Sequence, residues 1–507
     1  MRRLKWAAAA LSLLMAAGCA TSALQMAPSA PDRPWAPATT AEGDIVTGER
    51  GQSGPRGYLL PADPALAAAP ELPAVDPQKT YSLAELIDLA ESSNPMTRVA
   101  WNDARRAALA AGIAESAYLP RITATAIGGY QGSHGRDSTL GTTFDSSPSA
   151  TGTVSALSLQ WLLFDFGERG AVVDAAKQLS LIANITFTAA HQQVIYGVSL
   201  AFYANAAAKA RQTAATQSMK NAETVQAAAE DRYQHGIGTV IEVAQARQGS
   251  AQARFAVVQA TGAAEDAQLT LLTAVGFSPL TKLKVADVSG RKLSPSMAAP
   301  VDTIISESLA RRPDVQSAYA AEKASLANVR AAKAEFMPKF FLSANGTYSS
   351  GNLDITALPA AGQQSPTVNI NGNRWGGSIF AGVTIPIFDG GIRTAALSQA
   401  RAEADRASAQ MTQVRNDATR QIVFADNALR TSLAAYDASQ SVATATQTTF
   451  DAALAAYRNG VGSITDVTLA ETQLLQAKNA SSDAYSTALS AAATLALSTG
   501  TLGAAPP

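Results

Sequence analysis

The side chains with most chemistry to offer are Cys19, three histidines and a pair of carboxylates, Glu242 and Asp466, and none sits in a catalytic setting. A lone cysteine excludes an intrachain disulfide and a thiolate metal cluster. His134, His191 and His235 lie far apart in sequence. No Gly-rich phosphate loop, HExxH or nucleophile elbow occurs, so no catalytic, cofactor or metal site is expected. A net charge of −1 gives no electrostatic reason to expect nucleic acid as a partner. Cys19 has a different chemistry available. Met1-Arg2-Arg3 with Lys5 is a basic start, and the apolar stretch from Trp6 to Ala17 is too short to span a bilayer but fits a signal-peptide core. Ala16-Ala17-Gly18-Cys19 then resembles a lipobox, whose cysteine is lipidated and becomes the mature N-terminus, with 1–18 as the signal peptide. An ordinary signal peptide cleaved near Ala17 or Ala20, with Cys19 discarded, is the competing reading.

The two carboxylates belong to a duplicated pattern. Tyr233-Gln-His-Gly236-Ile-Gly238 recurs as Tyr457-Arg-Asn-Gly460-Val-Gly462, and Glu242-Val243 is answered by Asp466-Val467. Phe164-Asp165-Phe-Gly167 recurs as Phe388-Asp389-Gly-Gly391, at the same 224-residue spacing that separates Gly236 from Gly460. Self-similarity at this constant offset implies two copies of one long unit, residues 80–280 and 281–500, followed by a tail at 501–507.

These motifs punctuate a regular series of elements. Residues 19–79 hold 10 of the chain's 23 prolines, a composition that favours an extended tether over a packed core. Ser82 and Glu85 are spaced as a capping box, and Asn94-Pro95 ends one helix and opens another. The period then changes to two. Strand hairpins are predicted at about 121–164 and 339–388, with apolar and aromatic residues alternating with small or polar ones, as for a strand between lipid and water; a strand in a soluble sheet is the alternative. From Gly167 to His235 and from Gly391 to Asn459 there is no proline, enough for helices of roughly 100 Å. Asp165 and Asp389 stand where N-caps belong. Each long helix turns at a Gly-x-Gly, where glycine permits left-handed backbone and close approach, and returns through a helix of nearly 40 residues.

Two hairpins supply too few strands to close a membrane barrel, and open edges cannot be left in lipid. The physical reading is therefore a homo-oligomeric conduit, a β-barrel continued by a helical cylinder.

The duplicated motifs resemble the outer membrane efflux protein family of TolC-type channels, and the lipobox with its proline-rich lead is most similar to the NodT-like lipoprotein branch. The resemblance implies a mixed α/β membrane protein: a homotrimer forming a 12-stranded outer-membrane β-barrel and a 12-helix periplasmic α-barrel, lipid-anchored in the bacterial outer membrane. It also implies a passive exit duct for drugs or metal ions, with a periplasmic adaptor and an inner-membrane resistance-nodulation-division transporter as partners. Tyr233, Gly236, Gly238, Tyr457, Gly460 and Gly462 would then form the periplasmic tip that meets the adaptor. Asp466, Glu242 and Tyr457 are the candidate gate, Asp466 as an inward carboxylate ring; a solvated carboxylate at a helix start is the plainer reading of Asp466. The chain departs from the family in having Leu469 where a second acidic residue is common, with Glu471 nearby, and in lacking the arginine that the family is expected to carry near Gly462. A duct for type I protein secretion fits the same fold, and a structural periplasm-spanning coiled-coil lipoprotein is the alternative from another class.

Overall fold

The computed structural model describes residues 27–28, 30–35, 37–50, 58–60, 62–66, 75–132, 135–139, 142–146, 149–287, 293, 301–351, 354–355, 368–369 and 373–503. The signal peptide and Cys19 lie outside these residues. Two units are distinguished, Met1–Ala74 and Val75–Pro507. In the first, β1 (Pro37–Thr39) pairs antiparallel with β2 (Ile45–Arg50). A turn closes this hairpin, with Thr40 N donating to Asp44 O at 2.9 Å and Gly43 at φ +100°. Part of the proline-rich segment therefore has local structure that its composition did not suggest.

The second unit opens with β3 (Thr80–Tyr81) and α1 (Leu83–Ser93), whose Ser82–Glu85 capping box forms as expected. Asn94 caps α2 (Pro95–Glu115), accepting from Met96 N at 2.9 Å. Next come β4 (Arg121–Gly132), a short hairpin of β5 (Gly135–Thr139) and β6 (Thr142–Ser146), and β7 (Ser149–Phe164). Then follow α3 (Glu168–Gln234), α4 (Val240–Val275) and β8 (Lys284–Val285), which pairs in parallel with β3. The order continues with α5 (Val301–Arg311), α6 (Pro313–Ala334), β9 (Lys339–Gly351), β10 (Asp354–Ile355), β11 (Val368–Asn369) and β12 (Arg374–Thr384). It ends with α7 (Ile392–Arg458) and α8 (Ile464–Ser498). The long helices α3 and α7 are each 67 residues.

The two hairpins join into one antiparallel sheet of order β12-β9-β7-β4, with β7 and β9 in register from Gly152↔Gly351 to Leu162↔Phe341 and a shift of one residue before Phe164↔Phe340. Among the described residues β4 and β12 have no further partner strand. β12 stops at Thr384, short of the expected Phe388, because Pro386 has no N–H to give the ladder. Apolar side chains on the sheet, including Leu157, Trp375, Ile379 and Phe380, stay exposed. No described helix is long and apolar enough to cross a membrane.

The helices pack through small residues. α3 runs beside α2, α4, α6 and α8, while α7 runs beside α6 and α8. Ala320, Ala327, Ala418, Ala425 and Ala488 are all fully buried at these contacts, where a methyl group lets backbones approach closely. Larger residues gather in separate cores. One holds Leu86, Val198, Phe202, Leu271, Leu272 and Val275; another lies where the long helices end and holds Val225, Phe450, Tyr457, Val467 and Leu474.

The expected N-caps Asp165 and Asp389 are displaced by two residues. Gly167 and Gly391 occupy the cap positions in left-handed conformation, at φ 91° and 92°, and offer no side chain. The aspartates act from upstream: Asp165 accepts from Gly167 N, Arg169 N and Arg169 Nε, and Asp389 repeats all three bonds with Gly391 and Arg393. The arginine thus makes each aspartate part of the helix start despite its distance from the first turn.

Candidate functional site

The duplicated Tyr-x-x-Gly-x-Gly segments form two helical turns, and the glycines within each have separate duties. Gly236 and Gly460 take φ of 75° and 80°, a region that L side chains rarely enter. Gly238 and Gly462 are needed for space instead. A Cβ on Gly462 would stand 3.0 Å from Tyr457 N and from Ala456 Cβ, and one on Gly238 would stand 3.0 Å from Tyr233 N. The crowding arises because both N–H groups after the left-handed glycine fold back onto one carbonyl: Ile237 and Gly238 donate to Arg232 O, and Val461 and Gly462 to Ala456 O. This closes the helix ends in the manner of a Schellman turn.

The duplicated tyrosines diverge. Tyr233 is half exposed, whereas Tyr457 is 1% exposed. Tyr457 packs in the core with Val225, Phe450 and Val467, and Arg232, at the end of α3, covers its ring. Its guanidinium lies 4.9 Å from the Tyr457 ring centroid, its Nη1 donates to Tyr457 O at 2.9 Å, and its Nη2 donates to Ile237 O at 3.3 Å. One side chain therefore binds both turns. The Tyr457 hydroxyl donates to Glu242 Oε2 at 3.1 Å, and Arg232 Nε stands 4.0 Å from the same oxygen. Burial and the hydrogen bond to Glu242 push the Tyr457 phenol up to about 12.

The carboxylates diverge as well. Both α4 and α8 start with a hydroxyl cap, Thr239 accepting from Glu242 N and Ser463 from Asp466 N. Asp466 then turns its own carboxylate back, accepting from Ser463 Oγ at 2.8 Å and completing a capping box. Glu242, one methylene longer, reaches across to Tyr457 instead. Asp466 remains exposed, as does Leu469, while Glu471 faces inward and accepts from Ser218 Oγ of α3. Burial pushes the Glu471 carboxyl above its ordinary range, the bond from Ser218 opposing. The structure thus brings Tyr457, Glu242 and both turns together, and holds Asp466 apart in its own cap.

Arg232 was missed in the sequence. Its counterpart 224 residues on is Ala456, so it breaks the repeat on which the motif reading relied. An arginine beside the first Tyr-x-x-Gly-x-Gly was the available signal. It supplies a cation to both turns from the first half of the chain.

Long paired helices that end in braced turns, carried on a small sheet with an apolar exposed surface, define an outer-membrane channel protein. The chain belongs to the outer membrane efflux protein family, whose model matches residues 86–277 and 304–501. It is 26% identical over 446 residues to Protein CyaE of Bordetella pertussis, covering 88% of this chain and 89% of that protein. It is also 26% identical over 373 residues to the toluene efflux pump outer membrane protein TtgC of Pseudomonas putida, covering 69% and 71%. The CmeC outer membrane channel of Campylobacter jejuni shares the fold, with a TM-score of 0.68, 21% identity and coverage of 82% of this chain and 85% of that one. The chain is accordingly an outer-membrane efflux channel protein.

Proposed function

We propose that three copies of this chain close a twelve-stranded barrel in the outer membrane and a twelve-helix cylinder in the periplasm, as two tandem repeats per chain. The assembly conducts drugs or metal ions passively from an inner-membrane resistance-nodulation-division transporter and its periplasmic adaptor to the exterior. The observation that carries this reading is the four-stranded sheet: β4 and β12 each lack a second partner strand among the described residues while they carry exposed apolar side chains such as Ile122, Tyr130, Trp375 and Ile379. Unpaired backbone groups in lipid cost several kcal/mol each, so the edges need strands from neighbouring copies. Cys19 anchors the assembly through lipid. The turns at Gly236–Gly238 and Gly460–Gly462, with Tyr233 and Tyr457, are the adaptor-facing tip, and the Tyr457–Glu242 bond with exposed Asp466 forms the gate.

The test is a scan of cysteine pairs, one on β4 around Thr125 and one on β12 around Ser378, oxidised in outer-membrane fractions. The expected product is a covalent ladder that ends at three chains. A product that stays at one chain for every pair would overturn the reading. Deleting the gene should also raise sensitivity to hydrophobic drugs or metal ions.

A further inference from the structure

The two turns are duplicates in sequence and backbone, but not in what covers them. The repeats correspond residue by residue even in the sheet: β4–β7 pairs Arg121 with Gln160, and β9–β12 pairs Lys339 with Thr384, 218 and 224 positions further on. Near the turns, Tyr457 and Ile464 are 1% and 5% exposed, whereas their counterparts 224 residues earlier, Tyr233 and Val240, are 48% and 63% exposed. Tyr457 and Ile464 are covered because the first repeat packs on them, sharing a core with Val225, Ala229 and Ala246. The matching face of the first repeat, which carries Tyr233 and Val240, has no such cover among the described residues.

Two unused polar groups lie on the open faces. The Tyr233 hydroxyl makes no hydrogen bond among the described residues. Asp466 accepts from Ser463 N and Oγ through Oδ2 alone, so its Oδ1 is free there. Their counterparts are bonded to each other, the Tyr457 hydroxyl donating to Glu242 Oε2 at 3.1 Å. The step that carries the first repeat onto the second carries Glu242 to Asp466 and Arg232 to Ala456. Taken once more, it carries the second repeat onto the first repeat of a neighbouring copy, and Tyr457 onto Tyr233 of the partner subunit. Head-to-tail packing steps repeat in this way until a ring closes.

We infer that Tyr233 of one copy donates its hydroxyl to Asp466 of the next, so that links between chains alternate with the Tyr457–Glu242 links within chains. The inference rests on the three-copy assembly proposed above and names the contact that joins its copies at the gate. Asp466 is one methylene shorter than Glu242. Ala456, in the place of Arg232, leaves room for the incoming ring to approach and offset that difference. The same replacement makes the two kinds of link unequal. Within a chain, Arg232 lies on the Tyr457 ring and donates to the Tyr457 carbonyl beside the hydroxyl bond. Between chains, Ala456 offers neither contact, and the Tyr233–Asp466 bond stands alone. The seams between copies therefore yield first when the tip opens, while each chain keeps its own pair of turns locked.

The experiment uses the full-length protein, in planar bilayers and in outer-membrane fractions. Tyr233→Phe removes only a hydroxyl, which would change nothing on a merely solvated tyrosine. It should raise the open probability at least ~10-fold, the scale of one hydrogen bond to a charged group. Asp466→Asn, which can still accept from Ser463, should do the same, and the double variant should add little because both remove one interaction. Tyr233→Cys combined with Asp466→Cys should be bridged by a short bismaleimide, since a tyrosine's length separates the two positions too far for a disulfide. The expected product is a ladder ending at three chains, with none from either single variant. An open probability unchanged by Tyr233→Phe would overturn the inference. So would the absence of this ladder where the strand cysteines do link three chains, which would leave the assembly standing. Absence of both ladders would remove the assembly and this contact together.

Discussion

The Tyr457 hydroxyl donates to Glu242 across 3.1 Å, tying the end of α7 to the start of α4, 215 residues earlier in the chain. Two turns built to one pattern are thereby locked to each other through residues that the pattern makes look equivalent to different partners. Tyr233 and Asp466, the other members of the duplicated set, are left exposed.

Tyr457→Phe keeps the ring beneath Arg232 and removes only the bond to Glu242. A hydrogen bond to a charged group is worth about 1.5–3 kcal/mol, and partial exposure of Glu242 places this one at the low end. Glu242→Gln should cost a similar amount, and the double variant little more, since both remove one interaction. Thermal unfolding measures the cost, and conductance in planar bilayers should rise in all three if the bond holds the tip shut. The pH dependence has a definite sign. Because the folded phenol is raised to about 12, its contribution is intact below the ordinary tyrosine value of 10.0 and is lost as pH rises through about 12.

Arg232→Ala should be more damaging than Tyr457→Phe, because Arg232 holds a carbonyl in each turn as well as the Tyr457 ring. The expected loss is about 2–4 kcal/mol, and Arg232→Lys should not restore it. One ammonium cannot reach both carbonyls and lie flat on the ring. Hydrogen exchange at residues 456–462 is the direct measurement: protection should fall in both variants and remain near wild type in a control at the exposed Arg254.

The glycines should separate by mechanism. Gly236→Ala meets no atom within 4 Å and suffers only its left-handed backbone, about 1–2 kcal/mol. Gly462→Ala drives a Cβ against Tyr457 N and Ala456, where only backbone displacement gives room, and should cost about 2–3 kcal/mol. Thermal midpoints would rank them in that order. The reverse order would mean that the left-handed conformation, and not the close approach, limits the turn.

Glu471 should make stability depend on pH in the opposite sense to an ordinary paired carboxylate. Its folded-state pKa is raised by burial, so the native chain holds this proton more tightly than the unfolded one. The contribution is fully present below the ordinary carboxylate value of 4.5 and declines as pH climbs through the raised value. Thermal midpoints between about pH 4 and 8 should fall more for wild type than for Glu471→Gln, which stays uncharged throughout. Parallel profiles would show that Glu471 ionises freely beside Ser218.

The sequence alone determined the main helices and the two long hairpins, because each of those signals was local. Period two marked the strands, the proline-free stretches marked α3 and α7, and Ser82–Glu85, Asn94-Pro95 and the Gly-x-Gly pairs marked starts and turns. It also carried the family, through motifs 224 residues apart. Tertiary structure decided which member of each duplicated pair does what. Arg232 has no echo at Ala456, so its stacking on Tyr457 was invisible to a reading that looked for repetition. Glu242 and Asp466 occupy like positions, yet one bonds across the tip and the other bonds back to Ser463. Their partners are set by which helix end packs opposite. That is a property of long-range packing, which residue spacing along one chain does not encode.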